Sequence, residues 1–337
     1  MDTLRFVRAA VSAAVAASML AGCAGSQLSG ATPASPPRVA GGSALSAPAS
    51  SWMSPRTQAG DLLYVSDTNG KVYVYTYPGA KLVGTLVGFK GPGGLCSDRA
   101  GNVYVVDTPA VAVIKYAHGG KKPIEVLHVY GYYPQGCSVD ATTGDLAVAN
   151  YASNPQLGPG SVTIFRKGKG MGKSYQTSSF NEYFFCSFDA KGNLYVDGTD
   201  AGTTQTEFAE LPHGGTSLTD ITLKQSLGPF PGAVQWDGKY VALADATTGV
   251  VYRINVTGSN GTVVGTSRLK GDRSTLLAQF WIAGNTIVVP YGVVKRTVKK
   301  IGFWPYPAGG AVEKSIQAPA GAAELFGSTV SVAKKLP

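Results

Sequence analysis

Five short oxygen-bearing side chains recur at one place in a repeated pattern. They are Asp67, Asp107, Asn150, Asp197 and Asp245, and they fall every 40 to 48 residues. Each ends an apolar run such as Leu62-Leu-Tyr-Val-Ser-Asp67 or Asn102-Val-Tyr-Val-Val-Asp107. Carboxylates and amides gathered at one rim are hard-oxygen donors suited to Ca²⁺ or Mg²⁺. The same residues at a strand end also accept the N–H groups of the following turn, and repetition in every unit favours that role. Both readings stand on the sequence, and no other cofactor is expected.

A second set suits binding. Tyr132, Tyr133, Gln135, Tyr183, Phe230 and Trp281, with Phe184 beside them, lie where short apolar runs begin. Aromatic faces accompanied by an amide fit a carbohydrate or a peptide, or else they pack between elements. Cys96, Cys137 and Cys186 hold one equivalent place in Gly94-Leu-Cys-Ser-Asp98, Gly136-Cys-Ser-Val-Asp140 and Phe185-Cys-Ser-Phe-Asp189. They read as small buried apolar residues. Equivalent positions in neighbouring units are expected to lie beyond the ~5.5 Å Cα separation that a bridge needs. His118 and His213 fall in outer turns and His128 in an outer strand, the wrong places for a base over a central site.

The elements that must carry these residues follow from the period. Self-similarity at this spacing points to propellers or solenoids. Every unit holds four short β-type runs separated by Gly, Asp, Asn and Pro turns, and no helical stripe longer than two turns follows residue 60. With 44 Gly, 20 Pro and 15% charged residues in 337, the composition agrees. The expected fold is all-β, a six-bladed β-propeller of four-stranded blades with the C-terminal strand closing the first blade. Leu62 opens the first unit on its second strand, and Ala323-Glu-Leu-Phe-Gly-Ser328 supplies the missing innermost one, leaving no open edge at the seam. The run Thr329 to Ala333 either lengthens that strand or begins an incomplete seventh blade. Asp98, Asp140, Asp189 and Asp237 read as turn formers between strands one and two.

The pattern Asp-x-x-Gly-Asn-(Val/Leu)-Tyr-Val-x-Asp, followed by Asp98 to Asp107 and by Asp189 to Asp197, resembles the NHL-repeat and gluconolactonase-like propellers, a group that includes the streptogramin B lyases. The resemblance implies ligands over the central channel. Its lactonase members hold a divalent metal with an inward Glu, an Asn and an Asp, and its lyases rely on channel histidines. Glu182 and Glu324 are the glutamates near innermost strands here, and no histidine is placed to serve, so catalytic residues stay unassigned. The expectation is therefore a binding or scaffold module for a protein, peptide or carbohydrate. The alternative is a divalent-metal-dependent lactonase or lyase of the same fold.

Residues 1–22 read as an export signal, with Arg5 and Arg8 before the apolar run Ala9 to Leu20. Leu20-Ala-Gly-Cys23 resembles the bacterial lipobox, which implies acylation of Cys23 and anchoring to a membrane. Ala24 after it implies the outer membrane. Residues 23–59, rich in Ala, Ser, Gly and Pro, read as a disordered tether whose end Trp52 and Met53 pin to the domain of residues 60–337. The net charge of +9 draws such a domain toward anionic lipid, lipopolysaccharide or acidic wall polymers. An envelope protein or glycan is the expected partner, export argues against nucleic acid, and a monomer is expected.

Overall fold

The computed structural model describes residues 50–200, 205–228, 230–271, 275–277, 279–293 and 298–334. The expected signal, Cys23 and the tether up to residue 49 lie outside them.

Local hydrogen bonding shows why the repeated motif folds as it does. In Asp98-Arg-Ala-Gly-Asn102 the Asp98 carboxylate accepts from the N–H groups of Ala100 and Asn102, and the Asn102 side-chain amide donates to it at 2.7 Å. Asp189 repeats the arrangement with Lys191 and Asn193. Asp140 uses the Thr142 N–H and the hydroxyls of Thr142 and Thr143, and Asp237 the N–H groups of Lys239 and Tyr240. All four are the turn formers expected.

These turns generate six sheets arranged as the blades of a propeller. In the first, the closing strand Leu325–Ser331 pairs with Leu62–Asp67, followed outward by Lys71–Thr76, Leu82–Val87 and Trp52–Met53. The register Leu62↔Ser331 and Leu63↔Val330 puts Thr329 to Ser331 inside the closing strand, so that run lengthens the strand and the ring has six blades. The second, third and fourth blades run outward from Pro92–Ser97, Tyr132–Val139 and Glu182–Phe188. The fifth begins at Pro231–Trp236. The sixth has an innermost strand in two pieces, Thr275–Leu277 and Trp281–Ala283. The four main strands of each blade pair antiparallel, which defines two ends, and Thr222–Leu223 and Gly310–Ala311 add short parallel pairings to the outer strand Asn260–Lys270 of the fifth. The leading face holds the starts of innermost strands and the ends of second strands. The trailing face holds the turns between strands one and two and between three and four.

Trp52–Met53 pairs with Leu82–Val87, so the folded unit reaches upstream of Gly60 and runs from Ser51. Among the described residues there are three short 3₁₀ turns, no α-helix, and no helix long and apolar enough to cross a membrane.

Apolar side chains fill the wedges between blades. Leu62, Tyr64, Val72 and Val74 of the first blade meet Leu95, Val103 and Val105 of the second, all fully buried or nearly so. Each such side chain contributes roughly 1.5–3 kcal/mol on leaving water. Polar stitches then fix neighbouring innermost strands to one another. Ser97 donates to the Val330 carbonyl, Ser138 accepts from the Phe188 N–H, and Ser187 from the Trp236 N–H. Gln235 closes two bonds with the backbone of Ile282, at 3.0 and 2.7 Å, acting as a short strand from its side chain.

The remaining stitch is a disulfide between Cys96 and Cys137, with a Cα separation of 5.7 Å. It corrects the expectation that these equivalent positions lie too far apart. The reason is backbone approach near the axis: a Cβ on Gly94 would stand only 2.9 Å from the Gly136 Cα. Two glycines let adjacent innermost strands come within bridging range. Cys186, next in the series, is a free buried thiol as expected. The bridge closes a sequence separation of 41 residues. Loop-closure entropy for that length is worth about 4 kcal/mol in the unfolded chain. Changing Cys96 and Cys137 together to Ser is expected to lower unfolding free energy by roughly 2–4 kcal/mol in denaturant titration. Reducing agent should bring the wild type to the same midpoint and leave the variant unmoved.

Candidate functional site

The axis is packed shut. Gln279 of the sixth blade reaches past the closing strand to the second blade, where its amide accepts from the Leu95 N–H at 2.7 Å and donates to the Leu95 carbonyl at 2.8 Å. Its own N–H donates to the Phe326 carbonyl, and its carbonyl accepts from Ser328. The rings of Phe185 and Phe326 stack across the ring at 6.2 Å. What remains near the axis is a cavity of about 140 Å³ on the trailing side, lined by the disulfide, Ser138, Ser187, Gln235 and Trp281 among others. Trp281 therefore stands at the opposite mouth from the other aromatic candidates, because it belongs to the second piece of the split innermost strand.

The five oxygen-bearing residues are buried, and most of their oxygens are already used. Asp67 accepts from Asn69 N–H, the Tyr73 hydroxyl and the N–H groups of Ala323 and Glu324. Asp107 accepts from the N–H groups of Lys90 and Gly91, and Asp197 from that of Phe185 at 2.7 Å. Asp67 and Asp107 bind the backbone leading into the innermost strand of their own blade, and Asp197 binds within that strand. Asp245 holds the N–H and hydroxyl of Thr247 and the hydroxyl of Thr248. Asn150 donates to the hydroxyls of Ser161 and Thr163. The capping role foreseen from sequence is present at Asp67 and Asp245. The reach back to the innermost strand has no local signature and was not foreseen. Among the described residues, no three His, Cys, Asp or Glu side chains gather in a way that could hold a metal ion.

Two acceptors in this set lack hydrogen-bond partners, Asn150 Oδ1 and Asp197 Oδ2. Burial pushes the Asp197 carboxyl well above the ordinary carboxylate range, and the N–H of Phe185 only partly opposes it. Burial likewise raises Asp107, against the N–H groups of Lys90, Gly91 and Ala110.

The histidines and glutamates are engaged elsewhere. His118 bonds Ser331 through Nδ1 and the Gly60 carbonyl through Nε2, at the seam. The His213 backbone N–H donates to Asn193 Oδ1, which leaves its ring out of that bond, and His128 is exposed beside Tyr130. Glu182 accepts from Thr199 Oγ1, and burial raises the half-buried Glu324 above its usual range.

The aromatic candidates divide. Tyr183 is wholly buried against Phe180, with ring centroids 4.9 Å apart, and Phe230 packs on Phe184 at 5.4 Å. Tyr133 and Gln135 are buried as well. Tyr132 alone reaches an open depression of about 620 Å³ on the leading face, between the third and fourth blades. Phe180 floors it, Tyr132 and Pro159 form walls, and Ser153, Gln176, Thr177 and Ser178 supply uncharged polar groups. The buried Tyr183 has a part in this, since its hydroxyl accepts from the Thr177 N–H at 2.8 Å. Thr177 also donates to Asp220, and Gln176 to the Gly160 carbonyl. Gln176 to Phe180 lie in the connection between blades, the least repetitive part of the unit, so the pattern gave no sign of them.

Two outcomes follow. Saturating Ca²⁺ or Mg²⁺ is expected to leave the melting temperature unchanged, whereas a bound ion at 100 times its dissociation constant would add about 2.7 kcal/mol. For Asp197, the folded state holds its proton more tightly than the unfolded chain does. The stability this confers is complete below the unfolded carboxylate range and is lost as pH rises through the folded value. Asp197→Asn should therefore match the wild type in acid and exceed it near pH 8 by denaturant titration. An unvarying difference across pH would show that burial does not move this carboxyl.

No protein-family model matches the chain, and no curated protein matches its sequence. Solved structures do. A chain of a nidogen/laminin complex superimposes with a TM-score of 0.64 at 13% identity, covering 82% of this chain and 100% of that one. A protein of unknown function from Bacteroides caccae gives 0.59 at 13% identity, over 81% and 99%. Streptogramin B lyase gives 0.48 at 12% identity, over 78% and 76%. At these identities the first two show a shared fold and no more.

Proposed function

We propose that this protein is a binding module of the cell envelope, held to a membrane through an acylated Cys23, that takes an uncharged glycan in the depression beside Tyr132. The observation that carries the reading is the lining: an aromatic wall and floor with hydroxyl and amide groups, and no charged side chain among them. Flat apolar faces match the C–H face of a sugar ring, while Ser153, Gln176 and Ser178 match its hydroxyls. The Gln279 amide lying across the axis, the hydrogen-bonded carboxylates and the placement of the three histidines in outer turns and an outer strand favour recognition over the lactonase or lyase alternative.

The test is binding of neutral oligosaccharides, screened on an array and measured by calorimetry. Tyr132→Ala is expected to weaken the best ligand by about tenfold or more without moving the melting temperature, as removal of a stacking wall does. Full affinity in that variant, or capture of peptides alone, would overturn the assignment.

A further inference from the structure

The exposed charge of the trailing face is mostly positive among the described residues. Lys81, Arg99, Lys122, Lys167, Lys169 and Lys191 all lie in its turns with exposed side chains. The three ion pairs among the described residues use Lys115, Arg166 and Arg253 instead. The acids of the same turns point inward: Asp98, Asp140, Asp189 and Asp237 accept from their own turns, and Asp145 from the Lys167 N–H and Arg166. Turn formation thus neutralises nothing outside the domain; it hides the negative charge and leaves the positive charge in water. Glu313 is the exposed acid of this face among the described residues.

Within this field stands one large apolar group. Met171 is 83% exposed, between Lys169 and Lys173 in the turn joining the third and fourth strands of the third blade. Val332, 52% exposed, occupies the same face at the end of the closing strand. A soluble face gains nothing from an unbranched thioether held out among ammonium groups. A lipid interface supplies a partner for both: phosphate for the cations, and the boundary of headgroup and acyl chain for the apolar side chain. A free polyanion would satisfy only the first.

We propose that the trailing face docks on an anionic lipid bilayer, with Met171 entering the headgroup layer and the surrounding lysines and arginine meeting lipid phosphates. This surface is opposite the Tyr132 depression and does not depend on what that depression binds.

The experiment uses the full chain carrying Cys23→Ser, so that no acyl chain contributes. Co-sedimentation is measured with vesicles of pure phosphatidylcholine and with vesicles rich in phosphatidylglycerol, at low and high salt. Binding to the anionic vesicles alone is expected, falling as salt rises. Lys122→Glu with Lys169→Glu should lower the partition coefficient at least about tenfold. Met171→Ser should lower it severalfold while leaving retention on immobilised dextran sulfate unchanged. Melting temperatures of both variants report that the fold is intact. Absence of binding to anionic vesicles would overturn the proposal, and so would indifference to the charge reversal. Equal vesicle binding by Met171→Ser would also overturn it and make the face a site for soluble polyanions.

Discussion

The structure depends on a buried carboxylate at the place where the chain meets itself. Asp67 lies at the end of the first strand to be laid down in the ring and gathers the N–H groups of Ala323 and Glu324, more than two hundred residues later. Ser66 beside it donates to the Gly93 carbonyl and accepts from the Gly327 N–H, so three strands are tied at one point. These bonds add to the ladder with Leu62–Asp67 and to the contacts that Ser97, Gln279 and His118 make with the closing strand. Closing so long a loop is entropically unfavourable, and the last strand must gain enough contacts to offset that. The same carboxylate position in the second and fourth blades also binds the backbone of the innermost strand or its approach, so in three of the six blades this position fixes the strand nearest the axis.

That convergence explains why the middle of the ring is structural. Glycines at positions 94, 136 and 327 allow backbones to approach where side chains would collide, and the space left is filled by a glutamine amide and two phenylalanine rings. A channel plugged in this way leaves a cavity of about 140 Å³ on its trailing side. The glycan site proposed above lies instead at the periphery of the leading face, where a connection between blades crosses the gap.

Much of this was legible in the sequence because turn chemistry repeats. Asp98 and Asp189, each with its partner Asn, announce a strand, a turn and a strand, and the period of such units sets the blade count. Side chains acting between blades were not legible. Cys96 and Cys137 looked too distant because the repeat says nothing of how far neighbouring strands lean inward. Trp281 changed faces because the sixth innermost strand breaks in two, a departure from the pattern that periodicity averages away. Tyr132 stands out in the sequence by its aromatic type, while Gln176, Thr177 and Ser178, which line the same depression, carry no motif.

The outermost strand of the first blade bears on how the domain withstands force. Tension arriving from upstream meets Trp52–Met53, a two-residue strip lying along Leu82–Val87, before it meets anything else in the ring. That strip can peel and re-anneal like the free end of a zipper. The closing strand, four positions further in, is loaded only after it has gone, so a chain pulled by its N-terminal side yields first at a replaceable fringe.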